Sequence, residues 1–472
     1  MNNKVTNFVK NFSYTIISNL ISLFISVLVV LIIPKLIGVE QYGYWQLYLF
    51  YSSYIGFLHF GWNDGIYLRY GGKQYRDLDI KLFFSQFYML FILQLIIAII
   101  IYFCSYIFVI DIKKIFVFKM IAICTLIVNV RYMLLYILQG TNRIKEYAKI
   151  TTIDRIFYII LIALFLLNGI KQYELMIVAD LIGKFISLIY AMYCCKEIVF
   201  CKISIFYFSF KETIKNINAG IKLMFSNIAS MLIIGVVRFG IEHSWNVSTF
   251  GKVSLTLSVS NFMMLFIDAI GIVMFPILRR TDERKLPNIY ITMRDFLMII
   301  LLGALVVYYP AKVVLSVWLP KYAGSLAYMA LLFPMCIFEG KMSLLINTYL
   351  KTLRKEKLML KINCISLILS IITTVITIIL FRNLNLVIAS ISILLAFRCA
   401  LAEMYLSKIL VIPLYKDIIL ELVMTIIFML TGWFINSWIS VLLYVIFYII
   451  YLTIKRKDII VTIRNIKLLI KA

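Results

Sequence analysis

Residues 82–102, LFFSQFYMLFILQLIIAIIIY, form a run of 21 amino acids without one charged side chain. At 1.5 Å per residue, a helix of this length spans the roughly 30 Å hydrocarbon core of a bilayer. Lipid offers a backbone no hydrogen-bond partners, so only helices and closed barrels cross it, and unbroken hydrophobicity selects a helix. The stretch therefore predicts a membrane-spanning helix.

The rest of the 472-residue chain repeats this pattern. Hydrophobic residues make up 63% and charged residues 15%, with a mean hydropathy of +1.00, which is more apolar surface than a water-soluble fold can bury. We expect an all-α integral membrane protein with about 14 transmembrane helices. The predicted spans are 12–33, 44–61, 82–102, 115–138, 149–168, 173–195, 218–239, 249–275, 290–310, 323–346, 358–380, 384–407, 415–434 and 438–454.

Positive charge indicates the orientation of these spans. Most of the 47 Lys and Arg residues fall on one side when the loops are assigned alternately, and Lys-rich and Arg-rich loops stay in the cytoplasm. Both termini are therefore predicted to be cytoplasmic. Topology signals and attraction to anionic membrane lipids account for the net charge of +25 better than nucleic-acid binding does.

An internal repeat relates the two halves of the chain. At an offset of 208 to 210 residues, Asn19 falls on Asn227, Arg131 falls on Lys341, and the first six predicted spans align with the next six. An offset of six spans preserves the in/out sense, which indicates parallel repeats related by a pseudo-twofold axis along the membrane normal. We expect two six-helix bundles, residues 1–204 and 205–410, followed at 411–472 by two additional, peripheral helices and a basic cytoplasmic tail.

Two cations lie inside predicted spans at matching positions of the repeat, Arg131 and Lys341. An ionisable group at mid-bilayer costs about 2.5 to 3.5 kcal/mol, so each should face a cavity or a partner. One interpretation is that they converge in an inward-facing cavity and capture an anionic phosphate or pyrophosphate headgroup. The other is that each long side chain snorkels to the cytoplasmic surface.

Polar stripes mark three further spans. They place Asn19 on the first span, Asn227 and Arg238 on the seventh, and Ser258, Asn261 and Asp268 on the eighth. Such stripes serve either as interhelical hydrogen bonds or as substrate contacts. Asp268 is a candidate for cation coupling or for a salt bridge to Arg238. Asp180 and Lys184, four residues apart, predict a structural pair, and Glu339, Arg398 and Glu403 are weaker candidates of the same kind.

No motif in the chain indicates catalysis or a bound cofactor. The eight cysteines and two histidines lack metal-ligand spacing, and no phosphate-binding glycine loop occurs. We therefore predict no catalytic residues, no metal and no cofactor. Any energy input is expected from a proton or sodium gradient, the membrane potential or the substrate supply.

Two segments resemble a known family, the bacterial oligosaccharide repeat-unit flippases that serve O-antigen and capsule synthesis. These belong to the polysaccharide-biosynthesis branch of the multidrug, oligosaccharidyl-lipid and polysaccharide exporter superfamily. The matching residues are Pro34, Lys35, Leu36, Ile37, Gly38, Tyr42, Gly43, Tyr44, Trp45, Gly61, Gly65, Arg69 and Tyr70, and then Gln139, Gly140, Arg143, Lys145, Glu146 and Tyr147.

The resemblance implies a transporter of the bacterial cytoplasmic (inner) membrane and not an enzyme. Its substrate would be a polyprenyl-pyrophosphate-linked oligosaccharide, flipped by alternating access for surface polysaccharide biosynthesis. Polysaccharide polymerase and chain-length machinery are candidate partners. The related lipid II flippases carry arginines in their first two spans, and this sequence has none there, which argues against a peptidoglycan precursor.

Two alternatives remain at this point. The first is a cation-coupled exporter of drugs or metabolites in the same superfamily, which should favour acidic over basic cavity residues. The second is a membrane polysaccharide polymerase or acyltransferase. That chemistry needs catalytic groups at an accessible surface, and the external loops predicted here are short.

Overall fold

The computed structural model describes residues 3–262, 264, 285–435 and 437–471, with side chains from Leu20 to Asn465 within those ranges. Its regular structure is helical throughout the described residues, as predicted. The principal helices are α1 (Asn3–Leu36), α2 (Val39–Ser52), α3 (Trp62–Tyr70), α4 (Ile80–Phe108), α5 (Ile112–Gly140), α6 (Ile144–Leu167), α7 (Tyr173–Cys194), α8 (Phe210–Ser244), α9 (Val247–Ser260), α10 (Leu286–Trp318), α11 (Met329–Thr352), α12 (Glu356–Leu380), α13 (Leu384–Leu410), α14 (Tyr415–Phe434), α15 (Trp438–Ile454) and α16 (Arg456–Lys471).

Ten helices in the described part of the chain are long and apolar enough to cross a membrane, and the chain is a multi-pass membrane protein. An eleventh results if α15 and α16, bent by 69° at their junction, count as one span. The predicted count of fourteen is not confirmed. Three predicted windows remain. Window 12–33 has side chains described only from Leu20, and window 249–275 continues outside the described residues. Window 44–61 is broken into shorter helices.

The break in the second predicted span has a physical cause in its backbone. The chain leaves α2, forms a short turn of 3-10 helix at Ile55–Phe57 and enters α3 through Gly61, whose φ of +80° favours glycine. Buried amide side chains donate to backbone carbonyls at the break. Asn129 Nδ2 donates to Ile55 O at 2.9 Å, and Gln94 Nε2 donates to Leu58 O at 3.0 Å. A non-helical backbone within a span is tolerated where protein groups bond it in this way.

The chain divides into two compact units, Met1–Ile228 and Ala229–Ala472. In the first unit α5 is the central helix, because 78% of its most apolar stretch is buried and it packs against α2, α3, α4, α6 and α7. By contrast, only 28% of the corresponding stretch of α4 is buried, so most of the surface of that helix is available to contact lipid.

The second unit has its own central helix. In α11, 89% of the most apolar stretch is buried, and this helix packs against α9, α10, α13 and α14. The regular α-helix of α11 is interrupted by a π-helical turn at Met342–Ile346. Arg131 lies on α5 and Lys341 on α11, so the two cations that the repeat aligns lie on the central helices of their respective units.

Candidate functional site

Arg131 is buried among three helices of the first unit and is only 5% exposed. Its Nη1 donates to Asp154 Oδ2 on α6 at 2.6 Å and to Ser187 Oγ on α7 at 3.1 Å. Ser187 Oγ in turn donates to Ile150 O at 2.8 Å. The guanidinium is therefore neutralised inside the unit, and the side chain does not snorkel to the membrane surface.

A second ion pair lies on the neighbouring helix α7. Lys184 bonds the carboxylate of Asp180, and Tyr48 Oη donates to Asp180 Oδ2 at 2.6 Å. Asp180 and Tyr48 are both buried. The structural pair predicted for Asp180 and Lys184 is thus present, and Tyr48 ties α2 to it.

Lys341 lies in a larger cluster of charges in the second unit, where it is 1% exposed. Its Nζ contacts one carboxylate oxygen of Glu403 on α13 and lies 2.6 Å from Glu421 Oε2 on α14. The π-helical turn of α11 begins at the next residue. Like Arg131, Lys341 is paired internally and does not snorkel to the surface.

Arg294 on α10 completes this cluster. Its Nε donates to Glu403 Oε1 at 2.7 Å, a second nitrogen bonds Glu421, and Nη1 lies 3.2 Å from Asp417 Oδ2. Two buried cations, Arg294 and Lys341, thereby face two buried carboxylates, Glu403 and Glu421. Because the four charges balance and share hydrogen bonds, the cluster can exist without water.

The cluster continues toward the C-terminus through Lys455. Its Nζ lies 2.6 Å from Asp417 Oδ1, 2.9 Å from Asp458 Oδ2 and 3.4 Å from Asp295 Oδ1. Ion pairs therefore link α10 and α11 to α14 and to the start of α16. The C-terminal helices, expected to be peripheral additions, supply carboxylates to the buried charge cluster of the second unit.

These contacts bear on the predicted capture of an anion by Arg131 and Lys341. Each cation already has carboxylate partners within its own unit, so a phosphate would have to displace or outcompete Asp154 in one unit and Glu403 and Glu421 in the other. The predicted substrate-binding role of Arg131 and Lys341 remains a prediction, and these carboxylates are its competitors.

A third polar region runs along α8 and α9 in the second unit. Arg238 Nη2 donates to Ser254 Oγ at 3.0 Å, and its guanidinium lies 5.3 Å from the ring centre of Phe250. Ser258 Oγ donates to the backbone oxygen of Ser254 at 2.9 Å. The structure brings Arg238 and Ser258 together through Ser254.

Arg398 adds a second guanidinium beside α8. It donates to Ser230 Oγ at 2.8 Å, to Asn363 Oδ1 at 3.0 Å and to Glu339 Oε1 at 2.8 Å. Ser230 and Arg238 are eight residues apart on α8, which corresponds to roughly 12 Å along its axis. We call this region the guanidinium face, and it comprises Ser230, Arg238, Ser254, Ser258, Glu339 and Arg398.

The other predicted site residues are placed less completely. Asn227 lies exposed on α8, and Asn261 lies exposed just after α9. The side chain of Asn19 and all of Asp268 lie outside the described residues, as does the predicted bridge from Asp268 to Arg238. In the ranges that the structure describes, no group of three or more metal-ligating side chains could hold a metal ion.

Sequence reasoning missed five members of the ion clusters, Asp154, Arg294, Asp295, Asp417 and Glu421. Each lies within a predicted span, where an ionisable side chain requires a partner. That rule could have singled them out as members of buried ion clusters. It could not have shown which cation pairs with which carboxylate.

Comparison with known proteins gives the fold a context. No family model and no curated protein sequence matches the chain. Among solved structures, the chain is similar to one described as lipid II flippase MurJ in an inward closed conformation, with a TM-score of 0.66 and 17% identity, covering 96% of this chain and 100% of that one. It is also similar to an inward-facing multidrug resistance MATE family transporter of the MOP superfamily, with a TM-score of 0.59 and 12% identity, covering 82% and 96%.

At these identities the likeness concerns the fold. It extends over nearly the whole length of each compared protein. The oligosaccharide branch is not distinguished by it. The chain therefore has the fold shared by the lipid II flippase and the MATE family transporter of the MOP superfamily.

Proposed function

We propose that this protein is a flippase that moves polyprenyl-pyrophosphate-linked oligosaccharide across the cytoplasmic membrane by alternating access, for surface polysaccharide biosynthesis. The observation that carries the proposal is the likeness of fold over 96% of the chain to a protein named as a lipid II flippase. The absence of arginine from the predicted spans 12–33 and 44–61 favours an oligosaccharide cargo over lipid II itself.

The guanidinium face supplies the chemistry that such a cargo needs. A pyrophosphate and its sugars cannot enter hydrocarbon unaided, because their charge and hydroxyl groups would lose their hydration. Arg238 and Arg398 place two guanidinium groups inside apolar spans, and such groups bond phosphate oxygens in a bidentate way. At Arg398 a phosphate would have to displace Glu339, which bonds its Nη1 at 2.8 Å. The polyprenyl tail would remain in lipid while the headgroup passes along this face.

The second candidate is a cation-coupled exporter, favoured by the likeness to the multidrug transporter. In that case a proton or sodium ion would act through a carboxylate of the guanidinium face. Glu339 fits this role because its side chain is 24% exposed although it bonds the buried Arg398. A flippase and an exporter differ in cargo, so a transport assay with defined substrates separates them.

The proposal is tested in the host by deleting the gene. We expect lipid-linked repeat units to accumulate on the cytoplasmic face and surface polysaccharide to disappear, and polymerase and chain-length machinery would then lack their substrate. A wild-type copy should restore the glycan, Arg238→Ala should not, and Arg382→Ala, which removes an exposed arginine of the same unit, should restore it. Unchanged surface glycan after deletion would exclude the function.

The predicted orientation is part of the proposal. Single cysteines introduced into a chain without native cysteines report their side of the membrane through impermeant thiol reagents. Positions 145 and 355 should react only after the cells are opened, because both lie in Lys-rich segments between predicted spans. Labelling of either position in intact cells would reverse the assignment.

A further inference from the structure

A cavity of about 550 Å³ opens at one end of the first unit, away from the ion pairs described above. It is formed by the loop that follows α3, the start of α6 and the end of α7. Its lining residues are Tyr75, Arg76, Arg143, Lys145, Glu146, Lys149, Tyr190, Tyr193, Cys194, Lys196 and Glu197. All three segments were assigned to the cytoplasmic side by their positive charge, and the structure brings them together at one cavity.

Arg143 holds the three segments of the cavity in place. Its Nη1 donates to Cys194 O at 3.0 Å, while Nε and Nη2 donate to Glu146 Oε1 at 3.2 and 3.1 Å. Its guanidinium lies 4.6 Å from the ring centre of Tyr75. Burial disfavours the charged form of Arg143, but Glu146 raises its pKa overall. Three of its five N–H groups are used in this way, which leaves two for a ligand.

The cavity carries a strong excess of positive charge. Five of its lining side chains are cationic and two are carboxylates, which leaves a net charge of +3. One of the carboxylates, Glu146, is already bonded to Arg143. Among the residues that the structure describes, Arg76, Lys149 and Lys196 make no ion pair. Cations gathered around one concave surface focus a positive potential that a multivalent anion relieves.

Helix α6 adds to this potential. Its 24 residues begin at Ile144. Arg143 is the N-cap residue, and its side chain makes no capping hydrogen bond to the first turn. The N-terminus of a helix carries a partial positive charge and favours phosphate or carboxylate ligands. The dipole thus acts in the same direction as the lysines and arginines around it.

The size of the cavity and its aromatic wall indicate more than a bare ion. A volume of about 550 Å³ falls within the range of sites that hold small organic ligands. The rings of Tyr190 and Tyr193 are stacked, with centroids 6.4 Å apart. Tyrosines offer flat apolar surface together with hydroxyl groups, which suits a glycerol or sugar attached to a phosphate.

We propose that this cavity binds the phosphate or pyrophosphate group of an organic ligand, held by Arg76, Arg143, Lys149 and Lys196. The same chemistry can come from the headgroup of an anionic membrane lipid or from a soluble phosphate compound of the cytoplasm. The site lies wholly within the first unit, whereas the guanidinium face lies in the second, so this proposal stands apart from the proposed transport function.

Pyrophosphate is the probe that tests the site. Isothermal titration on the full chain in phosphatidylcholine nanodiscs should detect binding that weakens with added salt. Replacing two charges in Lys149→Gln/Lys196→Gln should weaken the binding about tenfold or more, because charge-assisted hydrogen bonds are lost. The matched control Lys171→Gln/Lys416→Gln removes two exposed lysines elsewhere and should bind as the wild type does.

Two further measurements separate the sources of the ligand. If the natural ligand is a lipid, native mass spectrometry should show phosphatidic acid retained by the wild type but not by Lys149→Gln/Lys196→Gln, and nanodiscs with that lipid should abolish pyrophosphate binding. If it is soluble, both nanodisc compositions should give the same pyrophosphate affinity. No binding of pyrophosphate or lipid by the wild type, or an equal loss in the control, would overturn the site. The loss of binding in Lys149→Gln/Lys196→Gln reports this cavity and not the guanidinium face, so the result does not depend on whether the protein flips lipid-linked oligosaccharide.

Discussion

The central helices of the two units each carry one buried cation, but they neutralise it differently. Arg131 on α5 has one carboxylate, Asp154, and a serine hydroxyl. Lys341 on α11 shares two carboxylates with Arg294, and one of them, Glu421, comes from a helix beyond the predicted repeat. The two positions that the predicted repeat aligns therefore both carry a buried positive charge, and each unit supplies its own counter-charges.

This difference shows how the C-terminal helices are integrated. The predicted bundle 205–410 supplies Glu403 to Lys341, as the first unit supplies Asp154 to Arg131. Asp417 and Glu421 of α14 add two further carboxylates to the cluster, and Lys455 extends it to the last helix. We infer that the second unit depends on α14 for its stability, whereas the first unit has no counterpart to that dependence among its described ion pairs.

The largest effect is expected from Glu403→Gln. This change leaves Arg294 and Lys341 buried with Glu421 as the one remaining carboxylate in contact with both. Breaking a buried charge cluster in this way should cost about 5 kcal/mol, the upper end of the range for buried ion pairs. Thermal unfolding in detergent and the yield of folded protein measure the loss. Glu356→Gln, which neutralises an exposed carboxylate, is the control, and an equal loss in both variants would contradict the cluster.

A smaller loss is expected from Asp154→Asn in the first unit. Arg131 would keep Ser187 and an amide as partners but would lose its counter-charge, at a cost of about 3 kcal/mol. The same unfolding measurement places this variant between the wild type and Glu403→Gln, with Asp77→Asn in an exposed loop as control. If Asp154→Asn proved the more damaging of the two, the ranking of the clusters would be reversed.

Replacing both members of the pair distinguishes a structural role from substrate binding. In Arg131→Met/Asp154→Leu no unpaired charge remains, so stability should return to within about 1 kcal/mol of the wild type. If Arg131 serves the fold alone, this variant also complements a gene deletion. A stable variant that fails to complement would support the predicted contact between Arg131 and the substrate headgroup.

The smallest effect is expected at an exposed ion pair. Lys113 Nζ lies 2.7 Å from Glu40 Oε1, but both side chains are about half exposed. Water screens such a pair, and holding it costs side-chain entropy. Lys113→Ala should leave the melting temperature unchanged within error. A drop as large as that of Asp154→Asn would show that burial is not what separates these pairs.

Much of the fold could be predicted from the sequence because lipid imposes a simple rule on helix length and polarity. All fourteen predicted windows overlap helices of the structure, yet the window 44–61 is a broken segment and not one span. At this break Asn129 and Gln94, which lie on other helices, donate to the carbonyls of Ile55 and Leu58. A hydropathy window covers one segment at a time and therefore cannot detect hydrogen bonds from other helices.

The candidate site was harder to predict, because its contacts also join segments that are distant in the sequence. The cost of a charge in lipid singles out Arg131 and Lys341, and the spacing of four residues identifies the pair of Asp180 and Lys184. The partners of Arg131 and Lys341 are separated from them by 23 to 80 residues, so packing alone decides the pairing.

The most direct test of the account is transport by the purified protein. Vesicles would carry the full chain and a polyprenyl-pyrophosphate-linked oligosaccharide, and a glycan-cleaving enzyme added outside would report how fast headgroups reach the outer leaflet. We predict fast exposure with the wild type, slow exposure with Arg238→Ala and wild-type rates with Arg382→Ala. Headgroup exposure no faster than in protein-free vesicles would contradict the proposed flippase.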